Sequence, residues 1–148
     1  MNTSGAPLYL DSNIFIFALE AEPRFGPGCS ALLRAVDAGD VLAVTSELTV
    51  AEVLVKPLQV GNTELVRRFS AAVAESRLSL RPVSRDTLVR SAEIRAFHGG
   101  RLADAIHVAT AAEAGCALIV SEDLRLRTPP GLERVSVADC GLERKSLP

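Results

Sequence analysis

The stretch LYLDSNIFIFALE, residues 8–20, sets a lone aspartate, Asp11, between an apolar strand-like run and a helix that is apolar nearly all round. Ser12 reads as the N-cap of that helix, expected over about 13–20, and its all-round apolar character implies burial on several sides. A carboxylate trapped between two core elements is costly unless something pairs with it. What pairs with Asp11 therefore bears directly on what the chain does.

Short apolar runs and helical repeats alternate outward from this point. Gly26, Pro27 and Gly28 punctuate a loop before a helix over about 29–38. VLAVT, at 41–45, is a continuous apolar run of the kind found in strands covered on both faces, and a helix over about 46–58 follows. GNTELVRRFSAAVAESR opens with Asn62 or Thr63 as a cap and repeats its apolar positions at 65, 66, 69, 72 and 73, a helical spacing. LSLRPV reads as a short strand, and a helix over about 85–97 stops at the glycines of HGG. LADAIHVATAAEAG is helical to Gly115, CALIVS is the clearest strand, TPPG is a turn and ERVSVAD is the last strand. Strands alternating with helices predict the α/β class: a three-layer α/β/α sandwich around a central, mainly parallel sheet.

Length and composition agree with one globular domain over 1–148, its core spanning about 7–138. The 148 residues are 48% hydrophobic and 23% charged, with charges scattered rather than blocked, which excludes a disordered tail or a fibre. No apolar run approaches the roughly 18 residues of a membrane helix, and MNTSGAPLY lacks the basic start and apolar core of a signal peptide. A cytoplasmic protein is expected. Cys29, Cys116 and Cys140 are far apart and odd in number, so they read as buried thiols rather than a disulfide framework or a zinc site. A net charge of -2 provides no overall basic footprint, leaving nucleic acid to a local patch.

In an open parallel sheet, ligands collect outside the carboxyl ends of the strands. Asp11 follows the first strand and Asp123 follows CALIVS, while Glu52 and Asp104 lie near the starts of two helices. Four carboxylates gathered at one edge raise each other's pKa unless a counter-charge is present. Oxygen-only ligation selects magnesium or manganese over zinc or copper. Such an ion activates a water as nucleophile and neutralises charge on a phosphodiester oxygen, so the chemistry implied is hydrolytic.

LYLDSNIFI, TSELTVAEVL, LADAIHVATA and LIVSEDLRL, in this order, resemble the four acidic motifs of the PIN-domain nucleases. The length is similar to that of the VapC toxins of toxin–antitoxin pairs, and the likeness runs from about residue 7 to about 138. It implies that Asp11, Glu52 and Asp104 are catalytic, metal-holding carboxylates, that Asp123 is the fourth acid, and that Ser12 and Ser121 are supporting hydroxyls. Glu122 stands where the family often has asparagine, so Glu122 and Asp123 both remain candidates, with the register set by Ser121 favouring Asp123. The resemblance further implies an Mg2+- or Mn2+-dependent endoribonuclease and a small antitoxin that inserts a basic side chain among the acids. The apolar flanks of residues 13–19 and 48–58 are candidates for the antitoxin groove, for a homodimer face, or for both.

Plainer roles stand beside these. Asp11 could merely cap its helix, Glu52 could close a capping box with Thr49 although Thr45 and Ser46 offer earlier caps, Asp104 could serve a helix dipole, and Asp123 could sit in a solvated turn. His107, one turn after Asp104 among apolar neighbours, reads as a satisfied, partly buried structural histidine, and His98 as loop surface. Arg101, and after it Arg125 and Arg127, are candidate phosphate contacts. Most of Tyr9, Phe15, Phe17, Phe25, Phe69 and Phe97 are expected in the core, which leaves no stacking platform and favours recognition of a structured RNA by shape. A non-catalytic PIN-like binding module remains the alternative. A phosphoacceptor domain is disfavoured, because it needs a lysine at a late strand end and the lysines are Lys56 and Lys145.

Overall fold

A computed structural model describes residues 5–74 and 76–141. Glu75, inside the stretch read as the fourth helix, lies outside the described residues, as do Lys145 and the ends of the 1–148 domain. Among the described residues five strands form one sheet: β1 (Leu8–Leu10), β2 (Ala43–Ser46), β3 (Ser79–Arg81), β4 (Leu118–Val120) and β5 (Glu133–Val135). Their order is β3-β2-β1-β4-β5 and every pairing is parallel, with Leu8 opposite Ala43 on one side and Leu118 on the other. The helices between them are α1 (Ser12–Leu19), α2 (Gly26–Asp37), α3 (Leu48–Gln59), α4 (Thr63–Ala74), α5 (Arg85–His98) and α6 (Leu102–Glu113).

Side chains alternate across a strand, and here the alternation divides the core in two. Leu10, Ala43 and Val120 face α1 to α4, packing with Ile14, Phe15, Leu32, Val53 and Phe69. Their neighbours Tyr9, Val44 and Ile119 face α5 and α6, packing with Ile94, Ala105, Val108 and Ala109. A sheet clothed on both faces gives the three layers that the sequence predicts.

Several local expectations are corrected. Asp11, not Ser12, is the N-cap of α1: it is extended at ψ 157, and its Oδ1 accepts from the backbone N–H of Ser12 at 2.8 Å. Gly26, Pro27 and Gly28 form the first turn of α2 rather than a loop, since proline in the first turn has no needed N–H to lose. The Thr49–Glu52 capping box does not form. Thr49 is buried and its hydroxyl shares a hydrogen bond with Thr45 at 2.7 Å, while Ser46 Oγ accepts from Leu48 N. The last strand ends at Val135, and Val137–Asp139 coil into a single 3-10 turn. Cys140 is only half-buried, whereas burial pushes the Cys29 and Cys116 thiols up to about 12 and about 11. His98 is on the surface as expected but is the last residue of α5 rather than loop, and most of the aromatics do lie in the core, Phe97 being the exception at 81% exposed.

Candidate active site

The strand order 3-2-1-4-5 reverses direction between β1 and β4, and the crevice beyond such a switch point is where open sheets hold ligands. Asp11 stands at the carboxyl end of β1, tied to the neighbouring strand by its own N–H donating to Val120 O at 3.1 Å. Only 5% of the residue is exposed. Burial pushes its carboxyl above the ordinary aspartate value, against the His107 charge and the hydrogen bonds from Ser121 and Ser12. Ser121 Oγ, just past β4, donates to Asp11 Oδ2 at 2.6 Å and accepts from Asp123 N at 3.1 Å. One hydroxyl therefore links the first and last motifs. Ser12 is buried beside them and contributes its backbone N–H.

Asn13 was not singled out in the sequence. Its Nδ2 donates to Ser121 Oγ at 3.4 Å, and its Oδ1 is buried with no hydrogen-bond partner. A buried acceptor without a donor is costly, and this one lies at the switch point beside Asp11. Its position two residues after the motif aspartate was the available signal.

His107 is fully buried, and it is far more than a bland core residue. Its Nδ1 pairs with Tyr9 Oη at 2.5 Å, while Nε2 forms a short contact with Glu52 Oε1 and lies 3.8 Å from Asp11 Oδ1. Burial opposes charge on the ring, but the Glu52 hydrogen bond and the charges of Asp11, Glu52 and Asp104 outweigh it, raising the pKa above 6.5. The helical spacing that sets His107 one turn beyond Asp104 is also what carries it among the acids.

Asp104, in the first turn of α6, and Asp123, after β4, meet at Arg101. The Arg101 Nε is 3.2 Å from Asp104 Oδ2, and a terminal guanidinium nitrogen is 3.3 Å from Asp123 Oδ2. Burial raises the Asp123 carboxyl, but hydrogen bonds from the Arg125 backbone and side chain, with the Arg125 and Arg101 charges, hold it below the usual range. Glu122 turns the other way, its carboxylate accepting from Ser136 Oγ at 2.9 Å and Val137 N at 2.6 Å.

The fold thus carries all four acids to one end of the sheet in two coupled halves. The inner half is Asp11 and Glu52 around His107, and the outer half is Asp104 and Asp123 around Arg101. Glu52 acts electrostatically on both His107 and Arg101. Among the described residues no three His, Cys, Asp or Glu side chains are drawn together as ligands of one ion.

The sequence profile of the PIN domain matches residues 8–132. No curated protein matches the chain. Among solved structures, a toxin–antitoxin complex from Klebsiella pneumoniae superposes with a TM-score of 0.65 at 23% identity, covering 89% of this chain and 98% of its own. VapC20 of Mycobacterium tuberculosis, a sarcin-ricin-loop-cleaving toxin, gives 0.68 at 13% identity, covering 80% and 92%. VapBC2 of Rickettsia felis, bound to a promoter DNA fragment, gives 0.59 at 17% identity, covering 87% and 97%.

Proposed function

The chain belongs to the PIN-domain family, and from that premise we propose that it is a metal-dependent endoribonuclease, the toxin of a type II toxin–antitoxin pair. The observation that carries the reading is the gathering of Asp11 and Glu52 around His107, and of Asp104 and Asp123 around Arg101, beyond β1 and β4. Such an acid set requires positive charge. The oxygen-only donors and the orphaned Asn13 Oδ1 fit a magnesium or manganese ion, and hydrated magnesium takes one or two carboxylates without a closed cage. Asp11, Glu52, Asp104 and Asp123 would hold it, one or two directly and the others through its waters. Once bound, the ion supplies a more acidic water and neutralises charge developing on a phosphodiester.

The protein's own groups prepare that site. Ser121 holds Asp11 through Oδ2 and favours its ionised form against burial. His107, anchored by Tyr9, fixes the Glu52 carboxylate. Arg101 offers a planar fork suited to a phosphate. Glu122 is engaged as a cap, so its presence leaves the acid set intact.

An antitoxin partner is supported by the similar solved structures, among them toxin–antitoxin complexes. A basic side chain from it would find the same acids that Arg101 and His107 now satisfy. Exposed Val50, Val55 and Leu58 along α3 support an apolar docking or homodimer face within 48–58. One domain over 1–148 and a cytoplasmic location complete the reading; among the described residues no helix is long and apolar enough to cross a membrane.

Purified protein incubated with total RNA and Mn2+ is expected to cleave it, EDTA to stop cleavage, and Asp11→Asn to reduce the rate at least about a hundredfold. Equal, metal-indifferent activity in both proteins would reject the assignment in favour of a binding module.

A further inference from the structure

His107 and Arg101, the basic side chains at the centres of the two halves, are held very differently. His107 is fully buried and engaged at both ring nitrogens. The Arg101 side chain is 66% exposed, at the N-cap of α6, and it reaches Asp104 and Asp123 through two long hydrogen bonds of 3.2 and 3.3 Å. Solvent-exposed ion pairs of this kind are weak and cost little to part. The carboxylates they join are only 16% and 15% exposed; if the arginine leaves, Asp123 keeps its 3.2 Å pair with Arg125, while Asp104 keeps its need for a counter-charge.

We propose that Arg101 is an exchangeable counter-ion: it holds Asp104 and Asp123 until a divalent cation takes them, and it then turns its fork to the phosphate of the RNA strand. The inference rests on the metal-dependent nuclease reading. A guanidinium serves both states because carboxylate and phosphate present the same bidentate oxygen geometry. Arg101 makes no side-chain cap bond to α6, so releasing it leaves the helix start unchanged.

The test compares wild type, Arg101→Gln and Arg101→Lys by calorimetric titration with Mn2+ in the absence of RNA, and by cleavage kinetics at saturating Mn2+. Arg101→Gln is expected to bind Mn2+ about three- to tenfold more tightly, the range open to two exposed ion pairs, while its KM for RNA rises about tenfold. Arg101→Lys, which keeps the charge but not the fork, is expected to return Mn2+ affinity toward wild type without restoring KM. Opposite signs from one substitution are what a merely structural ion pair does not produce. Unchanged or weaker Mn2+ binding by Arg101→Gln, beside normal binding by wild type, overturns this inference alone, as does tighter Mn2+ binding with an unchanged KM. A wild-type protein that takes up no Mn2+ overturns the nuclease reading as well.

Discussion

Glu122 accepts from Ser136 Oγ and Val137 N and so caps the 3-10 turn at Val137–Asp139, whereas Asp123 faces Arg101 and, across it, Asp104. Adjacent acids with opposite jobs respond oppositely to substitution. Glu122→Ala orphans a backbone N–H and is expected to cost about 1–2 kcal/mol of stability, the size of a lost cap, with RNA cleavage per folded molecule retained. Asp123→Asn, at a carboxylate held by exposed arginines, should lose less than about 1 kcal/mol of stability but cleave at least about tenfold more slowly. Chemical denaturation and cleavage assays on both variants check the pair, and swapped phenotypes would make Glu122 the fourth site acid. The place of Asp123 beside Ser121, whose Oγ accepts from the Asp123 backbone N–H, was legible because Ser121 fixes the register two residues away. The capping role of Glu122 was not, since its partners lie 14 and 15 residues further along the chain. His107 was half legible: its burial follows from apolar neighbours, but its contact with Glu52 spans 55 positions of sequence and needs α3 and α6 to be placed first.

Among the elements, α1 and α2 pack through Gly26. A Cβ there would meet Phe17 O at 2.9 Å and the Ala21 carbonyl carbon at 3.2 Å, both backbone atoms that cannot swing aside. Gly26→Ala is therefore expected to lower stability by about 1–3 kcal/mol, the usual cost of overpacking. A comparison is Gly28→Ala, whose Cβ would meet only the Val137 side chain, Cγ1 at 3.2 Å, and which should lose less. Thermal melts of both variants decide it, and equal losses would mean that the α1–α2 contact gives way easily. Gly26 shows why element ends were read less well than element types. Strands and helices follow from apolar period and showed in VLAVT, CALIVS and LADAIHVATAAEAG, whereas Gly-Pro-Gly is at once a loop signal and a permitted first helical turn. Only the close approach of α1 selects the second. Asp11 taught the same lesson at α1, where both Asp11 and Ser12 are good caps and the strand pairing of Asp11 N with Val120 O decides between them.

At the scale of the whole molecule, the buried acid–base cluster makes the metal-free protein's stability depend on pH. His107 has a folded pKa above 6.5, because Glu52, Asp11 and Asp104 together outweigh the burial that opposes its charge. A group whose pKa rises on folding contributes stability that is fully present below its unfolded value and is lost as pH climbs through the folded one. Asp11, raised above 3.8 chiefly by burial, tilts the same way, since its buried carboxylate becomes more costly as it ionises. Asp123, held low by Arg125 and Arg101 against burial, works in the opposite sense but only at the acid end, losing its contribution as pH falls below 3.8 and through its lowered value. In EDTA the unfolding midpoint is thus expected to be higher at pH 6 than at pH 8.5, with a domain of this size moving about 2–4 °C per kcal/mol. His107→Gln, which keeps a donor toward Glu52 but cannot titrate, should flatten the slope. Manganese ought to reverse it, because ligands must shed protons to bind and each proton lost to the solution is favoured by higher pH. Differential scanning calorimetry across that range, with and without Mn2+, measures both signs. A metal-free midpoint that rises from pH 6 to 8.5 would mean that His107 is neutral in the folded protein and that Glu52 is held by a neutral imidazole alone.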